Sequence, residues 1–228
     1  MIRVEGVPVR NTSKRPNSLL PTALAATTIA LLLLSSCVPA FSVHPFFTEK
    51  DLTFDRSLLG TWIDPTGKNE RGGLVIEEVS INGRPAYSLT AEVTDKPAVP
   101  KLTEEYEGSL FKLGGQQFLD VIYSQLRSGD ESVTVLAMPV HTIARVSLEG
   151  DTLSLSFLDD EWLKKNLEDG TVPLRHEIES DAPLLTAETA DLQTFVLNHW
   201  ADQKAFSFEI GPLQRKKQIP SALRSTPR

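Results

Sequence analysis

Apolar and polar residues alternate one by one along much of the chain from Leu58 onward. In residues 87–93 the apolar side chains take every second position, with Ser88, Thr90 and Glu92 between them. The same alternation recurs in residues 152–157. Successive side chains of a strand point to opposite faces of its sheet, so a period of two is typical of half-buried strands. The pattern predicts a mainly β domain.

Three turn sequences join the predicted strands into hairpins: Asn82-Gly83, Gly114-Gly115 and Glu149-Gly150-Asp151. Asn-Gly is a strong hairpin signal because both residues accept a positive φ. Pro139 interrupts the apolar residues 133–148, and we expect a bulge or a sheet edge there because proline cannot donate to a ladder. Short antiparallel strands with hairpin spacing predict a sandwich or a closed barrel.

Two segments follow a helical spacing instead. Asp159 is placed to cap a helix over residues 161–168, which Gly170 ends. Residues 189–200 carry apolar side chains three and four positions apart, as an amphipathic helix does. The sequence therefore predicts two short α-helices within the β domain.

The apolar pattern also sets the predicted domain boundaries. Residues 58–213 hold every strong hairpin and helix signal, which predicts one domain. Residues 37–57 are punctuated by prolines and are predicted to be a tether and entry segment. Residues 214–228 contain five basic residues, two prolines and no acidic residue, which predicts a basic disordered tail.

One short sequence suggests a family for this domain. Leu58, Leu59, Gly60, Thr61 and Trp62 contain a Gly-x-Trp motif, which is similar to the signature of the first strand in lipocalins and the wider calycins. The resemblance implies an antiparallel up-and-down barrel in which Gly60 lets the chain turn into the strand and Trp62 plugs the closed end. The alternative is a generic β domain that happens to begin with a glycine and a buried tryptophan.

The residues before the domain read as a secretory leader. Arg3, Arg10, Lys14 and Arg15 precede an uncharged, largely apolar segment at residues 19–34, and small residues follow it. These are the three parts of a signal peptide. A transmembrane helix that stays attached is the alternative, but a span needs about 20 predominantly apolar residues and this segment is shorter.

The end of the leader holds the only cysteine of the chain, in the run Leu34-Ser35-Ser36-Cys37. This run resembles the lipobox of bacterial lipoprotein precursors. The resemblance implies that residues 1–36 are removed between Ser36 and Cys37 and that Cys37 carries a diacylglycerol thioether. It places the protein in the cell envelope, on the outer membrane facing the periplasm if the host has two membranes, and otherwise on the outer face of the cytoplasmic membrane.

Two further runs, Phe47-Thr48-Glu49-Lys50-Asp51-Leu52 and Phe111-Lys112-Leu113-Gly114-Gly115, resemble those of a group of bacterial lipoproteins. That resemblance brings no activity with it.

Charge and cysteine content exclude several functions. The net charge is −7, and removal of a leader with four basic residues and one acidic residue takes it to −10. A charge of this sign disfavours nucleic acid as a partner. With Cys37 lipidated, the folded domain has no thiol for a disulfide, for redox chemistry or for a cysteine-based metal site.

No residue pattern indicates catalysis, a metal or a cofactor. The four histidines are scattered and form no His-x-x-x-His pair, and no Gly-x-Ser-x-Gly sequence is present. Of the four, His141 and His176 are the two that could face a cavity. The acidic run Asp159-Asp160-Glu161 is explained by the start of a helix, where carboxylates are favourable.

These observations leave three classes of function. The first is a non-enzymatic lipoprotein whose barrel binds an apolar ligand or a protein partner. The second is a purely structural or interaction module of the envelope, and an envelope hydrolase ranks third. An apolar cavity of about 300 Å³ or more inside the barrel favours a ligand, whereas a packed interior favours interaction.

Overall fold

The computed structural model describes residues 39–66, 71–93, 102–128, 131–133, 139–179 and 182–217. All of them belong to the second of the two units into which the chain divides, Cys37–Arg228. The predicted leader with Ser36, the predicted lipidation site Cys37 and the tail beyond Lys217 lie outside the described residues. Within the described residues, no helix is long and apolar enough to cross a membrane.

Strands dominate the described part of the chain. They are β1 (Phe41–Ser42), β2 (Gly60–Ile63), β3 (Arg71–Ile81), β4 (Arg84–Val93), β5 (Leu102–Leu113), β6 (Gln116–Ser128), β7 (Glu131–Val133), β8 (His141–Glu149), β9 (Thr152–Phe157), β10 (His176–Glu179), β11 (Ala182–Leu185) and β12 (Phe208–Arg215). A 3-10 helix at Arg56–Leu58 precedes β2, and two α-helices, α1 (Asp160–Glu168) and α2 (Thr189–His199), follow β9. The predicted mainly β class with two short helices is confirmed.

Eight of these strands form a closed ring. In sequence order β2, β3, β4, β5, β6, β8, β9 and β12 each pair antiparallel with the next, and β12 pairs back onto β2. The last pairing places Arg215 opposite Trp62. Closure removes the unpaired edges that an open sheet would leave.

The two ends of the ring differ in their connections. One end, called the turn end, carries the three predicted hairpin turns, and Asn82 and Gly83 take φ values of 53° and 78° in the first of them. At the opposite end, called the helix end, β9 runs directly into α1. The hairpins were predictable because each turn sequence permits the positive φ that a tight turn needs.

Four short strands lie beside the ring. β7 pairs with the end of β6, and β1 joins β8 to the β10–β11 hairpin, with Ser42 opposite His141. Of residues 133–148, which the sequence presented as one interrupted element, Val133 ends β7 and residues 141–148 belong to β8, with Pro139 two residues before β8 begins.

Neighbouring residues on the ring strands supply two separate cores. Leu110 and Leu119 point into the ring, whereas Phe111 and Phe118 point outward. The inner core comprises Leu58, Trp62, Leu74, Ile76, Tyr87, Leu89, Ala91, Leu110, Leu119, Val121, Ala144, Leu153, Leu155, Phe157 and Leu213. Because β5 and β6 bury both faces at these positions, apolar residues stand next to each other at 110–111 and 118–119 and do not alternate with polar ones.

The helices cover the outer face of the ring around β5, β6 and β8. Leu163 on α1 and Leu192 and Phe195 on α2 belong to the same buried cluster as Phe111 and Phe118, here called the outer core. The Asp159 side chain accepts a hydrogen bond from the Trp162 N–H at 2.8 Å and so caps α1 as predicted.

Residues 39–58, here called the entry segment, run along the outside of the ring from the helix end to the turn end. Pro39 bridges to Asp159, Phe46 is completely buried in the outer core, and the Thr53 N–H donates to the Leu110 carbonyl at 2.9 Å. The described part of the predicted tether is therefore packed against the ring. At the other boundary, β12 runs to Arg215, past the predicted limit at Leu213.

Candidate functional site

The entry segment closes the ring at its turn end. Phe54 stacks on Tyr87 with a ring-centroid distance of 4.7 Å, and burial raises the pKa of Tyr87 to about 12. Leu58, on the 3-10 helix, is buried in the inner core and its carbonyl accepts the indole N–H of Trp62 at 2.9 Å. Trp62 has no exposed surface. Its large ring thus fills the interior next to the closing segment.

Arg215 ties this closure to the last strand. Its guanidinium carbon lies 4.1 Å from the centroid of the Trp62 ring, which is cation–π geometry. Nη1 donates to the Leu59 carbonyl at 2.7 Å, and Nη2 donates to the Ser57 carbonyl. Nε donates to Oδ1 of Asp151 at 3.2 Å. One side chain therefore joins β12 to the 3-10 helix, to the start of β2 and to the β8–β9 turn.

Gly60 makes room for Arg215. Its φ is +132°, a conformation that side chains with a Cβ rarely adopt. A Cβ at this position would also lie 3.0 Å from Nη1 of Arg215. The glycine of the Gly-x-Trp sequence is thus required both by the backbone turn into β2 and by the approach of the guanidinium.

An open groove of about 1110 Å³ lies beside Arg215 on the outside of the ring. We call it the outer groove; its lining residues are Leu59, Gly60, Thr61, Val75, Ile76, Glu77, Glu78, Val79, Ser88, Arg215, Lys216 and Lys217. Val75 and Val79 give it a partly apolar floor on β3. Glu77 is exposed on the same strand, and Lys216 and Lys217 are exposed beyond β12. Charges of both signs therefore border an apolar strip.

Among the described residues, the buried side chains of the inner core occupy the interior of the ring. A Cβ on Gly108 would lie 2.6 Å from Leu89 Cδ1 and 3.2 Å from Leu119 Cδ1, so it would fit only if the ends of these two leucine side chains moved aside. Thr142 is the exception to this apolar packing. Its hydroxyl is buried and lacks a hydrogen-bond partner. Thr142 pairs with Val121, an inner-core residue, and so faces the interior towards the helix end.

A buried acid–histidine pair fixes the entry segment halfway along the ring. Nδ1 of His141 lies 2.7 Å from Oδ1 of Asp120, and the Phe46 N–H donates to Oδ2 of Asp120 at 2.9 Å. Asp120 is 1% exposed, and burial raises its pKa, against the opposing effects of His141 and the Phe46 N–H. The pair thus holds Phe46 against β6 and β8.

Ser42 lies next to this pair but does not complete a nucleophilic site. It is fully buried, its hydroxyl donates to the Leu185 carbonyl at 3.4 Å, and it accepts the His44 N–H at 3.2 Å. A catalytic serine must reach a substrate, and its hydroxyl must be bonded to a base. Here the hydroxyl is bonded to backbone groups, which is a structural role.

The other predicted candidates lie apart from one another. His176 is on β10 with Nδ1 2.9 Å from the Leu174 carbonyl, and neither it nor His141 lines the outer groove. His199 packs against Trp162 and Phe195 at centroid distances of 5.4 and 5.0 Å. No group of three or more histidine, cysteine or acidic side chains among the described residues is placed to hold a metal ion.

Sequence reasoning missed Asp120 and Arg215. Asp120 could have been noticed as one acid within the apolar run of residues 118–122. Arg215 was assigned to the tail, and nothing in the spacing connects it to Trp62, 153 positions earlier. Comparison of the chain with protein-family models, curated proteins and solved structures finds no match.

Proposed function

We propose that this chain is an envelope lipoprotein, anchored through Cys37, whose β domain binds a protein partner in the outer groove. The anchor rests on the run Leu34-Ser35-Ser36-Cys37 behind a charged and then apolar leader. The described residues begin at Pro39, so a cut before Cys37 would remove none of them. The site of action is the cell envelope, at the outer membrane in a host with two membranes.

The fold proposal is a calycin-like up-and-down barrel. It is supported by eight antiparallel strands that follow one another in sequence order around a closed ring. The burial of Trp62 beside the closed turn end agrees with the role that the Gly-x-Trp resemblance gives it. Function does not follow from such a fold, because one fold serves many functions.

The observation that favours a partner over an enclosed ligand is the contrast between the two faces of the ring wall. The described interior is occupied by the buried inner-core side chains, and around Gly108 a Cβ would have to displace the ends of Leu89 and Leu119. The outer groove is open, with an apolar strip along Val75 and Val79 and a charged border of Glu77, Lys216 and Lys217. An apolar centre with a polar rim is the usual anatomy of a protein interface.

The anchor is tested by mass spectrometry of the mature protein from the membrane fraction. We expect an N-terminal Cys37 carrying the mass of a diacylglyceryl group, with or without a further acyl chain. Cys37→Ser should leave the uncleaved precursor, because the thiol that accepts the diacylglyceryl group is absent. A mature protein with an unmodified Cys37 thiol would refute the anchor.

The groove is tested by a photo-crosslinking amino acid placed at Glu77 in cells, with Glu177 on β10 as the matched exposed glutamate outside the groove. We expect a discrete adduct from position 77 only. Charge reversal by Lys216→Glu and Lys217→Glu should abolish it, since both lysines border the groove. An equal adduct from both positions, or none from position 77, would remove this function.

A second candidate, a small ligand held inside the ring, is favoured by Thr142 alone. Its buried hydroxyl has no partner within the described structure and would accept or donate one hydrogen bond to a ligand. Thr142→Val distinguishes a ligand site from a hydroxyl that is merely buried. Loss of binding of a fluorescent apolar probe would support a ligand site inside the ring. A gain in the free energy of unfolding without change in probe binding would show a hydroxyl that is only costly to bury.

A further inference from the structure

The start of the described chain is fixed at one end of the ring. Pro39 forms an antiparallel bridge with Asp159, and the Ala40 N–H donates to the Leu158 carbonyl at 2.8 Å. Both partners directly follow β9, so this contact lies at the helix end. The entry segment therefore begins at the end of the ring that carries α1.

Asp159 is itself held rigidly. Its carboxylate caps α1 through the Trp162 N–H and accepts the Ser207 hydroxyl at 2.6 Å, and its own N–H donates to the Ala205 carbonyl at 2.9 Å. It is 7% exposed. Pro39 thus rests on a fixed point shared by α1 and the segment that leads into β12, and it cannot move independently of the domain.

The proposed lipid attachment lies only two residues before Pro39. Two residues span at most about 7 Å even when fully extended. The acyl chains of a lipidated Cys37 would be buried in the bilayer, which brings this cysteine to the membrane surface. A longer linker would let the domain rotate freely relative to the bilayer. The stretch from Cys37 to Pro39 is too short to let the opposite end of the ring reach the membrane surface.

We propose that the helix end of the ring faces the lipid bilayer and that the turn end, with Arg215 and the outer groove, is held on the side away from it. Residues 151 to 159 run along β9 from one end to the other, and at about 3.3 Å per residue they separate the ends by roughly 25 Å. The Arg215 N–H donates to the Asp151 carbonyl, at the turn end. This inference rests on the proposed lipid anchor.

The described charges of the helix end do not by themselves attract it to a membrane, so its position depends on the lipid-linked N-terminus. The described helix α1 at this end carries three acidic and two basic side chains, among them the exposed Glu161 and Lys165. This mixture is not the basic cluster that anionic headgroups attract. The orientation is therefore set by the short linker to the acyl chains, and it leaves the outer groove accessible to a partner.

The test uses lipidated protein purified from membranes and placed in phosphatidylcholine vesicles that contain a nickel-chelating lipid. Lipidation blocks the only native thiol, so one introduced cysteine can be spin-labelled without interference. Glu161→Cys at the helix end, two residues after Asp159, and Glu149→Cys at the turn end form a matched pair, because each replaces one exposed glutamate. We expect relaxation of the label by headgroup nickel to be several-fold stronger at position 161.

The outcomes separate this inference from the anchor on which it rests. Equal or reversed relaxation at the two positions, in protein whose Cys37 is shown by mass to be lipidated, overturns the orientation and leaves the anchor standing. An unmodified Cys37 overturns the anchor, and the orientation with it. Stronger relaxation at position 161 in lipidated protein supports both.

Discussion

The guanidinium of Arg215 stacks on the indole ring of Trp62, with its central carbon 4.1 Å from the ring centroid. The two residues are also register partners at the pairing of β12 with β2, which closes the ring. The closing seam is therefore held by side chains as well as by the backbone ladder, and that ladder is only two residue pairs long.

Replacement of Arg215 by lysine should destabilise the domain. Lysine keeps the charge but cannot reach the Leu59 and Ser57 carbonyls with a planar fork while it covers Trp62. We expect the free energy of unfolding to fall by about 2 kcal/mol, from lost hydrogen bonds and cation–π attraction. Urea unfolding of the mature chain measures this. Lys216→Ala, at the exposed next position, should change it by less than about 0.5 kcal/mol, and an equally small effect at Arg215 would contradict the prediction.

Replacement of Gly60 by alanine should be costly for two reasons that can be measured separately. The φ of +132° is strained for alanine, and the new Cβ would lie 3.0 Å from Nη1 of Arg215. We expect the free energy of unfolding, measured in urea, to fall by about 2–3 kcal/mol. Gly83→Ala is the control and should lower it by about 1 kcal/mol, because φ there is +78° but no atom lies near the new Cβ.

A double-mutant cycle isolates the contact between Gly60 and Arg215. In the Arg215→Ala background the collision is absent, so Gly60→Ala should cost less there than in the native chain, by about 0.5 kcal/mol or more. Strict additivity of the two substitutions would show that only the backbone conformation matters at Gly60.

The buried Asp120 predicts a pH dependence of stability. Its raised pKa means that the folded protein binds this proton more tightly than the unfolded chain does. The Asp120 contribution to the free energy of unfolding therefore falls as the pH rises from the ordinary value of 3.8 through the raised pKa. Asp120→Asn has no such proton, so its stability relative to the native chain should increase across that window.

Unfolding curves of both proteins at a series of pH values check this prediction. Asp202→Asn serves as the control because Asp202 is exposed. A relative stability of Asp120→Asn that decreases with rising pH would mean that the carboxylate is stabilised by His141 and the Phe46 N–H more than burial disfavours it.

The structure also predicts where the domain can be cut. A fragment of residues 39–217 should unfold in one cooperative transition, whereas residues 58–213 should be much less stable. The shorter fragment lacks the completely buried Phe46, worth about 1.5–3 kcal/mol of burial, and it lacks Arg215. These losses are large against a typical stability of 5–15 kcal/mol. Equal thermal midpoints for the two fragments would show that the entry segment contributes little.

The strands and turns on the exposed side of the ring could be predicted from the sequence alone. Residues 87–93 alternate because β4 faces the packed interior on one side and is more exposed on the other, and Asn82 and Gly83 accept the positive φ of a tight turn. The α1 cap was equally local, since Asp159 needs only the Trp162 N–H three residues on. Each of these signals lies within a few residues of the structure it specifies.

The contacts that make the candidate site were decided by the tertiary structure. Arg215 belongs to a basic tail by sequence until ring closure brings it to Trp62. Asp120 is a lone acid in an apolar run, and its partners, His141 and the Phe46 N–H, are brought to it only by the fold. Short-range periodicity reports which face of an element is buried, but not which distant element buries it. The sequence by itself determined the local elements and the leader motif. The outer groove, the burial of Trp62 at the turn end and the path of the entry segment depend on ring closure, because closure pairs β2 with β12 across the length of the domain.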